Sequence, residues 1–504
     1  MKMKQIALLV AGLSASAAAF AAPVTVGEID GARSAGTLQQ AWISGATAPT
    51  RTVYEGWVGS GTGVGCDSGT NTIFTTQPTT GSTGPNTVPG SLGNFTAYAC
   101  KRGGVVSVLY HTLDGGSLNY VTPHTVGTRL ARVKFVGSGN GCSATTLNYV
   151  DPTNPENNAL VYKGCTQVGA ALPNSGPTPE INASNNAAVI ADAFAPRLPV
   201  GGFSDVEAAL FPASIGGGDV SKFGIESDAN AGQVFGVAVS IPLYRALQAA
   251  QGITESGSSF DPALAPNITK TQYVTIAAQF GAANGNWAPI LGAPSSQKVI
   301  VERRVNTSGS QASSNAFFFQ NPCASGLGAS LTPASAADGD GSTFIVRENS
   351  GSGNVKTNLT NASNATVASG NQYAIGVLSL ENNWRTDSSS NNGYRFVKID
   401  GVHPEAGDTE NARLTAAQGL YPFHIELKNF VRSNYAGAPV KTAFENVIVG
   451  QITTALANPA EEACSVYPRG LTLNPLAGSA CTIGVQVARM TNLGKNCSPA
   501  QLAQ

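Results

Sequence analysis

The segment KVIVERRVNTSGSQASSNAFFF, Lys298–Phe319, decides the interpretation of the fold. Its β-branched start is typical of a buried strand and its apolar end of a helix, so the pattern predicts a strand, a turn and a helix. Ser308, Gly309 and Ser310 open that helix, whose first amides lack intrahelical partners and favour an anion. Arg304 precedes the turn and offers a planar fork of donors that suits phosphate or carboxylate. The alternative is an ordinary capped helix beside a surface arginine.

The surrounding sequence alternates between strand and helix patterns. We predict strands at 234–241, 343–347 and 373–380, and helices at 242–250, 271–280 and 440–455. Such alternation is typical of an α/β fold with largely parallel sheets. The stretch from Gly59 to about Ala193 is instead rich in Gly, Ser, Thr, Asn and Pro, and we interpret it as long excursions around a few strands.

Composition limits the classes of partner. Charged residues make up 12% of the chain, about half the usual share, and the net charge is −1. With a pI near 6.4 there is no broad basic field, which argues against nucleic acid and anionic membrane surfaces as partners. Any anion must therefore be captured by a local site.

The N-terminal residues predict export. Met1–Ala21 combines two lysines, an apolar run and a small-residue cleavage site, which is typical of a signal peptide. The first cysteine is Cys66, so we expect no lipid-anchor cysteine, and no later segment is apolar enough for a membrane anchor. We therefore expect a periplasmic or secreted protein.

The eight cysteines are expected to form disulfides in such a compartment. Their spacing contains no CxxC pair, so it does not indicate a metal or redox site. Proximity in sequence favours Cys66 with Cys100 and Cys142 with Cys165, among the many possible pairings. The last three cysteines, at 464, 481 and 497, suggest a stapled C-terminus.

Four segments taken together carry a family resemblance: SGATAP (Ser44–Pro49), the glycine turn Asp114–Ser117, GGFSDVEAALF (Gly201–Phe211), and RRVNTSGSQASSNAFF (Arg303–Phe318). Their order resembles the phosphate-binding protein of bacterial ABC-type phosphate importers, a type II periplasmic binding protein. In that family an Ala-Thr-Phe turn, a serine in a glycine turn, an aspartate and an Arg-x-x-Gly-Ser-Gly-Thr loop surround one phosphate.

The resemblance implies a set of ligand-binding residues with no catalytic residue, cofactor or metal. They are Thr47, Ala48, Gly116, Ser117, Asp205, Arg304, Ser308, Gly309 and Ser310. The chain departs from the family pattern at three places, because Ala48 replaces a phenylalanine, Thr307 a glycine and Ser310 a threonine.

Asp205 gives the expected site its selectivity. A carboxylate can accept a hydrogen bond from a protonated phosphate oxygen, whereas fully ionised sulfate would leave it facing an unpaired lone pair. The alternative is that Asp205 is only a strand-end or capping residue.

The resemblance also implies an architecture. We expect an α/β, two-lobed type II periplasmic binding protein fold with a β- and loop-rich, disulfide-containing insertion in the first lobe. The expected divisions are a signal peptide at 1–21, lobe 1 at 22–236 with an insertion at about 59–193, lobe 2 at 237–420, and a return to lobe 1 with a C-terminal segment at 421–504. The insertion has no counterpart in compact family members.

The predicted function is binding of inorganic phosphate or a similar oxyanion, for uptake with an inner-membrane ABC permease or for scavenging. We do not expect an enzyme, because the four histidines are scattered and no nucleophile elbow or Walker loop is present. Two alternatives remain, a secreted matrix or adhesion protein on the same scaffold and a phosphatase-like hydrolase.

Overall fold

The structure is a computed structural model of the 504-residue chain. It describes residues 22–502 except 60–64, 76–93, 129, 134–141, 150–159, 166–167, 171–197, 256, 258–259, 279–285, 325–330, 334–342, 365, 367–369, 388–392, 437, 439, 458–468 and 474–486. The predicted signal peptide and much of the predicted insertion lie outside these residues.

A large mixed sheet forms the centre of the described part of the chain. Its first half contains β1 (Gln39–Gly45), β2 (Thr72–Thr75), β3 (Phe95–Arg102), β4 (Val105–Thr112), β6 (Cys142–Tyr149), β7 (Leu160–Cys165), β9 (Gly201–Ser204) and β17 (His424–Arg432). Its second half contains β12 (Val299–Arg304), β13 (Phe344–Asn349), β14 (Ala374–Ser379) and β15 (Tyr394–Phe396).

One long strand, β10 (Gly224–Ser240), joins the halves, and the short β18 (Leu471–Leu473) also pairs with it. From Gly224 to Val234 it pairs with β17, and from Phe235 onward it pairs with β14. The strand order is β13-β12-β14-β10-β17-β9-β1-β4-β3-β2-β7-β6. The change of partner between Val234 and Phe235 falls close to the predicted lobe boundary. The division into two lobes itself stays a prediction.

The expectation of a largely parallel sheet is wrong. β1 runs parallel to β4 and β9, and β12 runs parallel to β13 and β14, but β10 is antiparallel to every strand it pairs with. Hairpins add further antiparallel pairs. Gly103 and Gly104 both have positive φ, 56° and 80°, and such a two-residue turn matches the twist of the flanking strands β3 and β4.

The described part of the predicted insertion contains seven strands, and the excursions expected between strands lie largely outside the described residues. β2, β3, β4, β6 and β7 extend the central sheet, while β5 (Ala131–Val133) pairs with β8 (Val168–Ala170). Two more pairs lie elsewhere: β11 (Asn267–Ile268) with β16 (Lys398–Ile399), and β19 (Met490–Thr491) with β20 (Gln501–Leu502).

Helices cover the sheet. They are α1 (Val26–Ser34), α2 (Thr50–Val58), α3 (Thr122–Thr125), α4 (Ile241–Ala250), α5 (Lys270–Ala277), α6 (Ala288–Leu291), α7 (Gly309–Phe319), α8 (Ser352–Ser363), α9 (Trp384–Asp387), α10 (Leu414–Ala417) and α11 (Ala443–Ala457). The start of α5 is fixed by a capping box between Thr269 and Gln272, which satisfies two amides that the helix leaves unpaired. The largest core cluster packs α4, α5, α7 and α8 against the second half of the sheet.

Three disulfides are present in the described residues. The pairs Cys66–Cys100 and Cys142–Cys165 confirm the pairing favoured by sequence proximity. Cys497 pairs with Cys323, 174 positions away, so the C-terminal segment is bonded to the turn that follows α7. Cys464 and Cys481 lie outside the described residues.

Candidate functional site

The candidate site lies where the carboxyl ends of two sets of three parallel strands face each other; β1, β4 and β9 form one set, and β12, β13 and β14, which run in the opposite direction, form the other. In the first half of the sheet, Thr47 follows β1, the turn 114–117 follows β4, and Asp205 follows β9. In the second half, Arg304 ends β12, and the residues that follow β13 and β14 lie at the same carboxyl edge of that half. Open α/β sheets bind ligands at this edge, because the loops and helix starts there supply polar groups.

Asp205 is the centre of the site. Its side chain is buried, with 8% of its surface exposed, and its Oδ2 accepts a hydrogen bond of 3.0 Å from the Ser117 hydroxyl. Gly309, the first residue of α7, packs directly against both groups. A Cβ at position 309 would lie 2.2 Å from Asp205 Oδ2 and 2.6 Å from Ser117 Oγ. Only glycine fits here, so three of the predicted residues form one tight contact.

The electrostatic state of Asp205 follows from its surroundings. Burial raises the pKa of its carboxyl to about 6, and the negative charge of Glu381 acts in the same direction. The hydrogen bond from Ser117 and the positive charge of Arg304 lower the pKa by smaller amounts. Asp205 therefore exchanges a proton within the range of pH at which phosphate does so.

The start of α7 is positioned by the glycine turn after β4. The amide of Leu118 donates to the carbonyl oxygen of Thr307 over 3.0 Å, and a Cβ on Gly116 would lie 2.8 Å from that oxygen. Ser308 is the N-cap of α7 in an extended conformation and is buried. The two turns thus hold each other, and the positive end of the helix faces Asp205.

Arg304 extends from the last position of β12 toward the start of α8. Its guanidinium donates to the Ser352 hydroxyl over 2.8 Å, to the Ser350 carbonyl over 3.0 Å and to the Asn349 carbonyl over 3.3 Å. Burial lowers its pKa, while Asp205 and Glu381 raise it. Three of the five guanidinium donors make these bonds, so the bonds hold the group in one orientation.

Glu381 is a site residue that the sequence analysis missed. It follows β14 by two positions, and its Oε1 accepts a hydrogen bond of 3.3 Å from the Thr47 hydroxyl. Burial raises the pKa of this carboxyl, whereas Ser379, Thr47, Lys356 and Arg304 lower it. The available signal was its place at the carboxyl end of the strand predicted at 373–380.

The remaining predicted residues lie at the margin of the site. Ala48 packs in the core cluster that contains Val53 and Trp57, so its methyl group serves the core. Ser310 lines a small cavity together with Arg304. The structure thus brings seven of the nine predicted residues into the contacts described above and places these two beside them, and their roles in binding stay predictions.

The fold and site define a mixed α/β protein with a large central sheet and a polar site at its parallel strand ends. No family model matches the chain, and no curated protein matches it. A protein from Clostridium perfringens, assigned as a phosphate ABC transporter substrate-binding protein and solved with bound phosphate, is similar at 11% identity with a TM-score of 0.36. The alignment covers 86% of this chain and 99% of that chain. This similarity is too low to establish a shared fold.

Two further findings concern the whole described part of the chain. None of its helices combines the length and the apolar composition needed to cross a membrane. Nor do its His, Cys, Asp and Glu side chains form a group of three or more that could hold a metal ion.

Proposed function

We propose that this chain is an exported solute-binding protein that takes inorganic phosphate, or a similar oxyanion, between two lobes for uptake or scavenging. The observation that carries the proposal is the contact among Asp205, Ser117 and Gly309 at the start of α7, beside Arg304. These groups come from distant segments, yet each was predicted from one pattern of phosphate ligation.

The chemistry of the site suits a protonated anion. The charged oxygens can accept hydrogen bonds from the first amides of α7, from the hydroxyls near them and from the Arg304 guanidinium. Asp205 can accept a hydrogen bond from an oxygen that keeps its proton, which sulfate lacks at neutral pH. Selectivity for phosphate over sulfate then follows from the cost of leaving buried polar groups unpaired.

The remaining parts of the proposal follow from export. Disulfides persist in oxidising compartments, and three are present in the described residues. A periplasmic location would provide an inner-membrane ABC permease as partner, whereas a secreted protein would act as a scavenger. We propose a binding role without catalytic activity, because the predicted residues all belong to the pattern of phosphate ligation.

The experiment is calorimetric titration of the mature protein, freed of ligand by unfolding and refolding, with phosphate and with sulfate at pH 7. We expect one-to-one binding of phosphate only. Arg304→Ala should abolish binding, and Arg347→Ala is the matched control, because Arg347 lies on the neighbouring strand and pairs with Glu302 over 3.0 Å. Thermal unfolding checks that both variants fold.

Other outcomes favour the other functions. A folded protein that binds neither anion would refute the proposal and favour the matrix or adhesion alternative. Unchanged phosphate affinity in Arg304→Ala would place the anion elsewhere. Turnover of a chromogenic phosphate ester that is lost in Ser308→Ala would favour the hydrolase.

A further inference from the structure

The candidate site holds more negative charge than a simple anion site would. The charges of Asp205 and Glu381 both act on Arg304, whose guanidinium donates to Asn349, Ser350 and Ser352. Glu381 reaches the site from the second half of the sheet and accepts the hydrogen bond from Thr47, which lies in the first half. Its carboxylate therefore lies between the same elements that would enclose the anion.

The other charged groups near Glu381 do not remove this excess. Lys356 on α8 lowers the Glu381 pKa but forms an ion pair of 3.1 Å with Asp387. Arg469, in the segment that packs on the backbone after β14, forms an ion pair with Glu405. A doubly charged anion that entered the site would thus face two carboxylates, and burying unpaired like charges is costly.

We infer that Glu381 is a specificity-determining residue and that, together with Asp205, it makes the site select phosphate in its singly charged form. This inference rests on the proposed function. Singly charged phosphate carries two O–H groups. One donates to Asp205 and the other to Glu381, while the two remaining oxygens accept from Arg304 and the start of α7. Doubly charged phosphate has one O–H group and would leave one carboxylate facing a bare oxygen.

Proton counting gives a quantitative consequence. Between pH 7.5 and 8.5 free phosphate is mainly doubly charged, so binding of the singly charged form takes up one proton. Linkage of one proton changes an equilibrium constant tenfold per pH unit. The phosphate Kd of the wild-type protein should therefore rise about tenfold between these two pH values. In Glu381→Gln the amide can donate to a bare oxygen, so doubly charged phosphate fits and the Kd should stay constant.

The test is calorimetric titration with inorganic phosphate at pH 7.5 and 8.5, in two buffers that differ in ionisation enthalpy, which counts the protons directly. We expect uptake of about one proton by the wild type and about none by Glu381→Gln. Glu381→Asp keeps the carboxylate and should retain the uptake. Glu348→Gln is the matched control, because Glu348 lies on β13 and its carboxylate lies 3.8 Å from Arg303 instead; it should behave as the wild type.

Each contrary outcome has a distinct meaning. Full proton uptake by Glu381→Gln would overturn the role of Glu381 and leave phosphate binding intact. Loss of uptake in Glu348→Gln as well would also overturn it, because the effect would then reflect the overall charge. A folded wild-type protein that binds no phosphate at either pH would refute the proposed function, and this inference with it.

Discussion

Replacing Asp205 by asparagine should stabilise the ligand-free protein at neutral pH. Burial raises the pKa of this carboxyl from its ordinary value of 3.8 to about 6. A carboxyl with a higher pKa in the folded state contributes stability that is fully present below pH 3.8 and is lost as the pH rises through about 6. At pH 7.5 the buried carboxylate therefore opposes folding, and asparagine, which has the same shape without the charge, removes this cost.

The magnitude follows from the shift in pKa. A rise from 3.8 to about 6 corresponds to about 3 kcal/mol of folding free energy at neutral pH. This value already includes the hydrogen bond that Ser117 donates, which lowers the pKa. We therefore expect Asp205→Asn to raise the free energy of unfolding by about 3 kcal/mol at pH 7.5. At pH 4 the gain should vanish, because the wild-type carboxyl is then protonated.

The assay is guanidinium unfolding in phosphate-free buffer, followed by tryptophan fluorescence between pH 4 and 7.5. The difference between variant and wild type cancels the contributions of other titrating groups, including the histidines. Asp219→Asn serves as the control, because Asp219 is exposed and hydrogen bonds with Ser221 lower the pKa of its carboxyl, so this substitution should not raise stability at pH 7.5. An Asp205→Asn protein that is less stable than the wild type at pH 7.5 would refute the reasoning, since Asp205 would then be a capping residue that holds the fold.

Three more predictions concern packing, covalent bonding and acid stability. Gly309→Ala should abolish phosphate binding, because its Cβ would lie 2.2 Å from Asp205 Oδ2. In guanidinium unfolding it should destabilise the fold by about 1–3 kcal/mol. Gly353→Ala on α8 is the control, because its Cβ meets no atom within 4 Å, and it should be neutral or stabilising. Replacing both Cys323 and Cys497 by serine should lower the free energy of unfolding by up to about 5 kcal/mol. The loss should exceed that from the same change at Cys66 and Cys100, because the Cys323–Cys497 bond closes the longer loop, and equal losses would contradict this. Burial lowers the pKa of His111 to about 3, so its neutral form contributes stability that is lost as the pH falls below 6.5. His111→Phe should therefore raise the free energy of unfolding at pH 5 by about 2 kcal/mol. An unchanged slope of stability against pH would count against this prediction.

The sequence predicted the elements whose signals are local. The β-branched run before Arg304 and the small residues at 308–310 give the β12–α7 unit, because strand burial and helix capping depend on neighbours in sequence. The first ten residues of β10, GIESDANAGQ, lack an apolar pattern and were not predicted as strand. They are extended because the distant strand β17 pairs with them, with Gly224 opposite Arg432.

The residues of the candidate site also divide into those with local sequence signals and those placed by long-range contacts. Asp205, Arg304 and Ser308 lie in motifs with a recognisable order, whereas Glu381 directly follows a predicted strand and contacts Thr47 only through the way the sheet is assembled. The Cys323–Cys497 bond joins positions 174 apart, and no spacing rule could select it. Residues marked by local sequence motifs could therefore be predicted from the sequence, whereas contacts set by the register of the sheet could not.

The C-terminal segment, residues 487–502, limits how the proposed site could open. Gly494 donates to the Glu426 carboxylate over 2.8 Å, which holds the segment on β17, the strand next to β9 and Asp205. Cys497 in the same segment is bonded to Cys323, four positions beyond the end of α7. Under the proposed function, release of the anion requires Gly309 to separate from Asp205. Because the far end of α7 is bonded to the segment that lies on β17, that separation is limited by the Cys323–Cys497 bond.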